Sequence, residues 1–223
     1  MVKLSVMKIL SFDIASECVD FSLGNLTNWG DTKMWDKNGV YARAFFEGHF
    51  DLISYGTLPI AQKTKPLSLR AIAQGLKGAL DEFTAEMGLD RGNTAVFIEQ
   101  QADLSRAIDV IEAQLHLYFV DYKCFTVGNQ KKNTVCLDPS LAHNVFVAEN
   151  KARALEPKKK PLPPRQVRKK HTVANFKHYL AEYKGGQGYE GHKGRAPDAA
   201  DSFMQILGQI TILNNETLFG PHV

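Results

Sequence analysis

The stretch Met7-Lys8-Ile9-Leu10-Ser11-Phe12-Asp13-Ile14-Ala15 decides how the rest of the chain is read. It is short, apolar at most positions, and followed by the polar Ser16-Glu17, as expected of a strand buried in the middle of a sheet. Asp13 stands inside that run, and an ionised carboxylate there is destabilising by several kcal/mol unless something compensates it. No Lys, Arg or His follows Lys8 within the strand. The compensating charge must come from elsewhere in the fold or from a bound cation.

Three later carboxylates point to the cation. Glu99 ends the apolar run Thr94-Ala95-Val96-Phe97-Ile98, and Asp198 and Asp201 stand three apart on an expected final helix opened by Pro197. That spacing puts both aspartates on one helical face about a turn apart. Each acid alone reads equally well as a helix-dipole partner or a strand terminus. Gathered together, the four would repel one another and resist ionisation, and a divalent metal removes that conflict.

Working outward, Val19 to Leu26 alternates apolar with small or polar residues and predicts a second strand joined to the first by an antiparallel hairpin. A polar loop from Thr27 to Gly39 carries Trp29 and Trp35, whose commoner fate is packing rather than base stacking. A third extended segment is expected from Tyr41 through Phe46. After Pro66, Leu69, Ile72, Leu76, Leu80, Phe83 and Met87 recur at helical spacing, with Ser68 as a cap and Gly88 near the end. Thr94 to Glu99 is a buried strand, and Leu104, Ile108, Ile111, Leu115 and Tyr118 mark a second helix. A further strand is expected at Thr134 to Leu137, a third helix from near His171, and the last helix from Pro197. Strands followed by alternating helices and strands predict an α/β fold, with an antiparallel meander extended by parallel strands and flanked by helices.

The chain has 223 residues, 44% of them apolar and 23% charged, which suits a single domain spanning 1–223 with a full core. No apolar run reaches the roughly 20 residues of a spanning helix, and no signal sequence opens the chain, so an intracellular protein is expected. Cys18, Cys124 and Cys136 lack zinc-site spacing and read as reduced thiols. Lys151 to Lys170 holds nine basic residues against the single acid Glu156, a local charge of +8 within a total of +3. Broken by Pro157, Pro161, Pro163 and Pro164, this insert at about 150–170 reads as a solvated linker or as a contact surface for a polyanion. Gly186-Gln187-Gly188-Tyr189-Glu190-Gly191 matches a dinucleotide fingerprint in letters only. A helix, not a strand, precedes it, and too little chain follows to complete the unit.

The order and setting of Ser11-Phe12-Asp13-Ile14, Phe97-Ile98-Glu99-Gln100-Gln101 and Pro197-Asp198-Ala199-Ala200-Asp201-Ser202-Phe203 resemble the RuvC-type Holliday junction resolvases, in particular the poxvirus-like branch of that ribonuclease H-like family. The resemblance implies a ribonuclease H-like fold with a mixed five-stranded sheet. It implies an endonuclease that resolves four-way DNA junctions by metal-dependent phosphodiester hydrolysis, leaving 5′-phosphate and 3′-hydroxyl ends. Asp13, Glu99, Asp198 and Asp201 are the implied ligands of two Mg²⁺ ions, with Mn²⁺ able to substitute. The family's catalytic lysine falls on Lys169 or Lys170, with Lys170 the chosen position. Bacterial members carry an aromatic wedge where Gln100, Gln101 and Ala102 stand here.

Branched DNA is the implied partner, contacted through Lys158, Lys159, Lys160, Arg165, Arg168, Lys169, Lys170, Lys193 and Arg195. A twofold homodimer would place two sites on a nearly twofold junction, with Leu115, Tyr118 and Phe119 of the second helix as a candidate face by analogy with the family, a stripe equally explained by packing on its own sheet. A viral replication site in host cytoplasm, or another DNA-containing compartment, would fit. The alternatives are a ribonuclease H-like nuclease cutting RNA–DNA hybrids or flaps, and a non-catalytic junction-binding protein.

Overall fold

The computed structural model describes residues 6–15, 18–29, 34, 43–60, 68–100, 105–128, 164–183, 187–188, 196–210, 212–213 and 215–219. In chain order these form β1 (Val6–Ile14), β2 (Cys18–Thr27), α1 (Arg43–His49), β3 (Phe50–Pro59), α2 (Leu69–Glu86), β4 (Thr94–Glu99) and α3 (Arg106–Tyr118). There follow β5 (Lys123–Val127), α4 (Pro164–Tyr183), β6 (Gln187–Gly188), α5 (Ala196–Ile210) and α6 (Asn215–Phe219).

The strands make one sheet in the order β5-β4-β1-β2-β3-β6. β1, β2 and β3 pair antiparallel, while β4 runs parallel to β1 and β5 parallel to β4. This is the mixed five-stranded sheet, antiparallel and then parallel, that the sequence resemblance implies, to which the two-residue β6 adds at one edge, parallel to β3. As its sequence predicts, β1 is central and apolar on both sides. Met7 and Ile9 enter one core with α1, α4 and α5, whereas Leu10, Phe12 and Ile14 enter another with α2 and α3. All six residues of β4 are buried, which explains why its run shows no alternation.

The cap and the stop read for α2 are present, and α3 carries a serine cap that the sequence reading did not name. Ser68 Oγ accepts from the Ala71 amide at 3.1 Å, Ser105 Oγ accepts from the Ile108 amide at 3.3 Å, and Gly88 takes the left-handed φ of 55° that ends α2. Lys8 donates to the carbonyls of Met87 and Gly88, both at 2.7 Å, so the one cation of β1 serves the C-terminal end of α2. A Cβ at Gly75 would stand 2.0 Å from the Ile60 carbonyl oxygen, so only glycine allows α2 this close to the end of β3.

Two expectations, for the third strand and for the start of the third helix, need correction. Residues 43–49 are helical, and the third strand is Phe50–Pro59. The adjacent Phe45 and Phe46 are both buried in one core, which a helix allows and a strand forbids. The alternation of β3 is hidden by an irregularity where its pairing shifts between Leu23 and Gly24 of β2. The strand next to β4 is Lys123–Val127, an edge strand in which only Val127 is fully buried, while Thr134 to Leu137 lies outside the described residues. Helix α4 starts at Pro164 rather than near His171, because a proline in the first turn has no helical amide bond to lose. Leu115 and Phe119 are fully buried and Tyr118 hydrogen-bonds Asp81 and Thr84, so that stripe of α3 packs on its own sheet, the second of the two readings it allowed. Trp29 packs edge-on against Phe45, as expected.

Candidate active site

The register of the sheet builds a row of polar groups. Asp13 of β1 pairs directly with Asp20 of β2, and Asp20 pairs with Thr57 of β3. On the other flank, Phe12 pairs with Ile98, which brings Glu99 of β4 beside Asp13. Side chains alternate across the sheet, so the cores fix the face. Ile9 and Phe97 belong to the core under α4 and α5, and Asp13 and Glu99 follow them at steps of two. Glu99, Asp13, Asp20 and Thr57 therefore line one face across four strands.

Burial differs along the row. Glu99 is 2% exposed and Asp20 3%, whereas Asp13 is half-buried and is the carboxylate of the three open to solvent. The Thr57 hydroxyl donates to Asp20 Oδ1, and the Cys18 thiol lies 3.9 Å from Asp20 Oδ2. One pleat down, the Ser22 hydroxyl reaches the Ala199 carbonyl at 3.2 Å and the Ser202 hydroxyl at 2.9 Å. Those contacts seat the first turns of α5 on β1 and β2, and the small residues Ala199, Ala200 and Ser202 permit the approach.

Asp198 and Asp201 ride on this seated part of α5. Asp201 is half-buried, and the side chain of Asp198 lies outside the described residues. Among the described residues no group of three or more His, Cys, Asp or Glu side chains is gathered tightly enough to hold a metal ion. The structure thus brings Asp13 and Glu99 together on one face and lays the helix of Asp198 and Asp201 over that face.

Helix α4 fixes α5 from the outer side. Phe203 packs between Phe176 at 5.1 Å and Tyr179 at 4.8 Å, measured between ring centroids. The Tyr179 hydroxyl accepts from the Leu52 amide at 3.3 Å, and burial pushes its pKa well above the phenol range. Tyr179 meets Leu52 and Phe176 meets Tyr55, so α4 runs against β3 with residue numbers falling toward Thr57. Lys169, exposed, and Lys170, half-buried, therefore lie toward the sheet end that carries Asp20. Arg165 and Arg168 belong to the same helix, with side chains outside the described set. Lys158, Lys159, Lys160, Lys193 and Arg195 lie outside the described residues altogether.

His171 follows Lys170, and its Nε2 is buried with no hydrogen-bond partner among the described residues. Burial pushes its imidazole below the ordinary value of about 6.5. The unfolded chain then takes up the proton first, so His171 should cost stability as pH falls below about 6.5 and not above it. Denaturant midpoints compared between about pH 5 and pH 7.5 should show a shallower acid loss in His171→Asn than in the parent protein. Equal slopes would remove His171 from the acid response.

The sequence reading missed Asp20 and Thr57. The signal was available: a hairpin closed tightly over Ala15 to Cys18 sets Asp13 opposite Asp20.

No family model matches the chain, and no curated protein matches it significantly. Among solved structures, it is similar to Thermus thermophilus RuvC at 6% identity, over 92% of this chain and 96% of that one, with a TM-score of 0.45. A fowlpox virus Holliday junction resolvase aligns at 14% identity over 79% and 99% of the two chains, with a TM-score of 0.32. An Aquifex aeolicus member of the Ppx/GppA family aligns at 13% identity over 65% and 40%, with a TM-score of 0.30. Alignments this loose carry no chemistry, and the fold rests on the strand order and directions given above. No described helix is long and apolar enough to cross a membrane.

Proposed function

We propose that the protein is a metal-dependent endonuclease that resolves four-way DNA junctions, acting as a homodimer. The observation that carries this reading is the placement of Asp13 and Glu99 on adjacent parallel strands, facing the helix of Asp198 and Asp201. An all-carboxylate set of hard oxygens fits Mg²⁺ or Mn²⁺ rather than softer metals.

Asp13 and Glu99, with Asp198 and Asp201 from α5, would hold the ions. Bound there, divalent metal supplies Lewis-acid polarisation of the scissile phosphate and lowers the pKa of water, giving 5′-phosphate and 3′-hydroxyl ends. Glu99 is shielded from water, while half-buried Asp13 is the one a substrate would reach. Lys170, on the helix that reaches the same end of the sheet, would neutralise charge gathering on the phosphate. The basic segment and the start of α4, including Lys158, Lys159, Lys160, Arg165, Arg168 and Lys169, with Lys193 and Arg195 beyond, would bind DNA through its phosphates. Recognition would then be of shape and strongly salt-dependent.

Cleavage of a synthetic four-way junction, a flap, an RNA–DNA hybrid and a linear duplex, with and without Mg²⁺, tests the reading. Metal-dependent paired nicks confined to the junction are expected. Equal cutting of linear duplex would refute junction resolution, and preferential cutting of the hybrid would move the assignment to a ribonuclease H activity.

A further inference from the structure

The row on the sheet contains one more carboxylate than the ligand set uses. Asp20 faces Asp13 across the antiparallel pair, where opposed Cβ atoms stand about 5 Å apart. Like charges directly opposite each other on a sheet are destabilising, and here one of them is 3% exposed, so water screens it poorly. Its two oxygens are turned to β3 and to its own strand, toward Thr57 and Cys18. Those two contacts hold the carboxylate in place.

A second group on the same face has the complementary property. Ser11, one pleat from Asp13, is fully buried, and its hydroxyl has no hydrogen-bond partner among the described residues. A hydroxyl in that position is available to a water or ligand beneath Asp13, at a site where Asp20 adds negative potential.

We propose that Asp20 is a positioning residue for the cation site: a fixed charge, held by Thr57, that raises the affinity of the Asp13 side of the cleft for divalent metal without ligating it. The inference rests on the nuclease reading and adds a residue to it. Like-charge repulsion between Asp13 and Asp20 falls when a cation is bound, so a charge that opposes the pairing of Asp13 without metal would strengthen binding with it. A carboxylate kept only for structure would behave oppositely, since its loss would lower stability with and without metal.

The test uses the full-length protein and Mn²⁺ alone, titrated calorimetrically, with thermal melting at zero and saturating Mn²⁺. Asp20→Asn should weaken Mn²⁺ binding by about 10- to 100-fold, as loss of an outer group of a metal site does, while the metal-free melting temperature stays level or rises. Thr57→Val, which keeps the charge but removes its anchor, should weaken binding by a smaller factor. It serves as the deciding variant if Asp20→Asn does not fold. Asp13→Asn, run in parallel, separates the two levels of the argument. If Asp13→Asn abolishes Mn²⁺ binding and neither Asp20→Asn nor Thr57→Val changes it, the role given to Asp20 is wrong and the nuclease reading stands. If Asp13→Asn leaves Mn²⁺ binding intact, both fall.

Discussion

Asp13→Asn is expected to lower junction cleavage by more than about 100-fold while leaving junction binding close to that of the parent protein. Asparagine keeps the size of the side chain and loses the charge on which cation binding depends. The fold should tolerate the change, because Asp13 is half-buried beside Glu99 and Asp20 and removal of its charge reduces repulsion along the row. Binding is expected to persist because it would rest on Lys and Arg contacts to phosphate. Single-turnover cleavage at saturating Mg²⁺, paired with a gel-shift titration at fixed salt, separates the two effects. An unchanged rate would remove Asp13 from the chemistry, and a parallel loss of binding would show that the substitution had damaged the protein.

The largest expected effect on stability comes from Phe203→Ala. Phe203 is fully buried and joins Phe50 of β3 to Phe176 and Tyr179 of α4, so its ring links both helices to the sheet. Truncation removes that contact and leaves a cavity whose walls are stiff aromatic rings, for a loss of about 3–5 kcal/mol in denaturant unfolding. Cleavage should fall as well, because the same helix carries Asp198 and Asp201. A loss of only about 0.5 kcal/mol, the size of a surface substitution, would show that α5 is not anchored through this residue.

Much of this fold could be read before any coordinates, for identifiable reasons. β1 and β4 are buried on both faces, so each appears as a mostly apolar run without a regular apolar–polar alternation. Helix α2 begins on a serine, Ser68, that accepts from its own first turn. What stayed hidden depended on tertiary context. Phe45 and Phe46 look like strand residues until the core on one side of the sheet claims both. β5 is an edge strand whose first residue, Lys123, reaches the Leu218 carbonyl at the end of the chain, a contact that hydropathy does not register.

Asp20 shows the same limit at the site. On an alternating strand an acid between Val19 and Phe21 reads as the solvent-facing position, but β2 is covered on both faces. The polar side of β2 is the side that meets α5 through Ser22 and Ser202. The acids on β1 and β4 were legible as motifs because each interrupts or ends an apolar run. Asp20 becomes visible only through its register with Asp13.

In the proposed enzyme, Asp13 and Glu99 share with the acids of α5 a site that takes up divalent metal. Crystals soaked in Mn²⁺ and measured at an energy where manganese scatters anomalously test it most directly. Anomalous density between Asp13 and Glu99, bounded on the helix side by Asp198 or Asp201 and absent from Asp13→Asn crystals, is the predicted result. Saturating Mn²⁺ with no density in coordination range of Asp13 would contradict it.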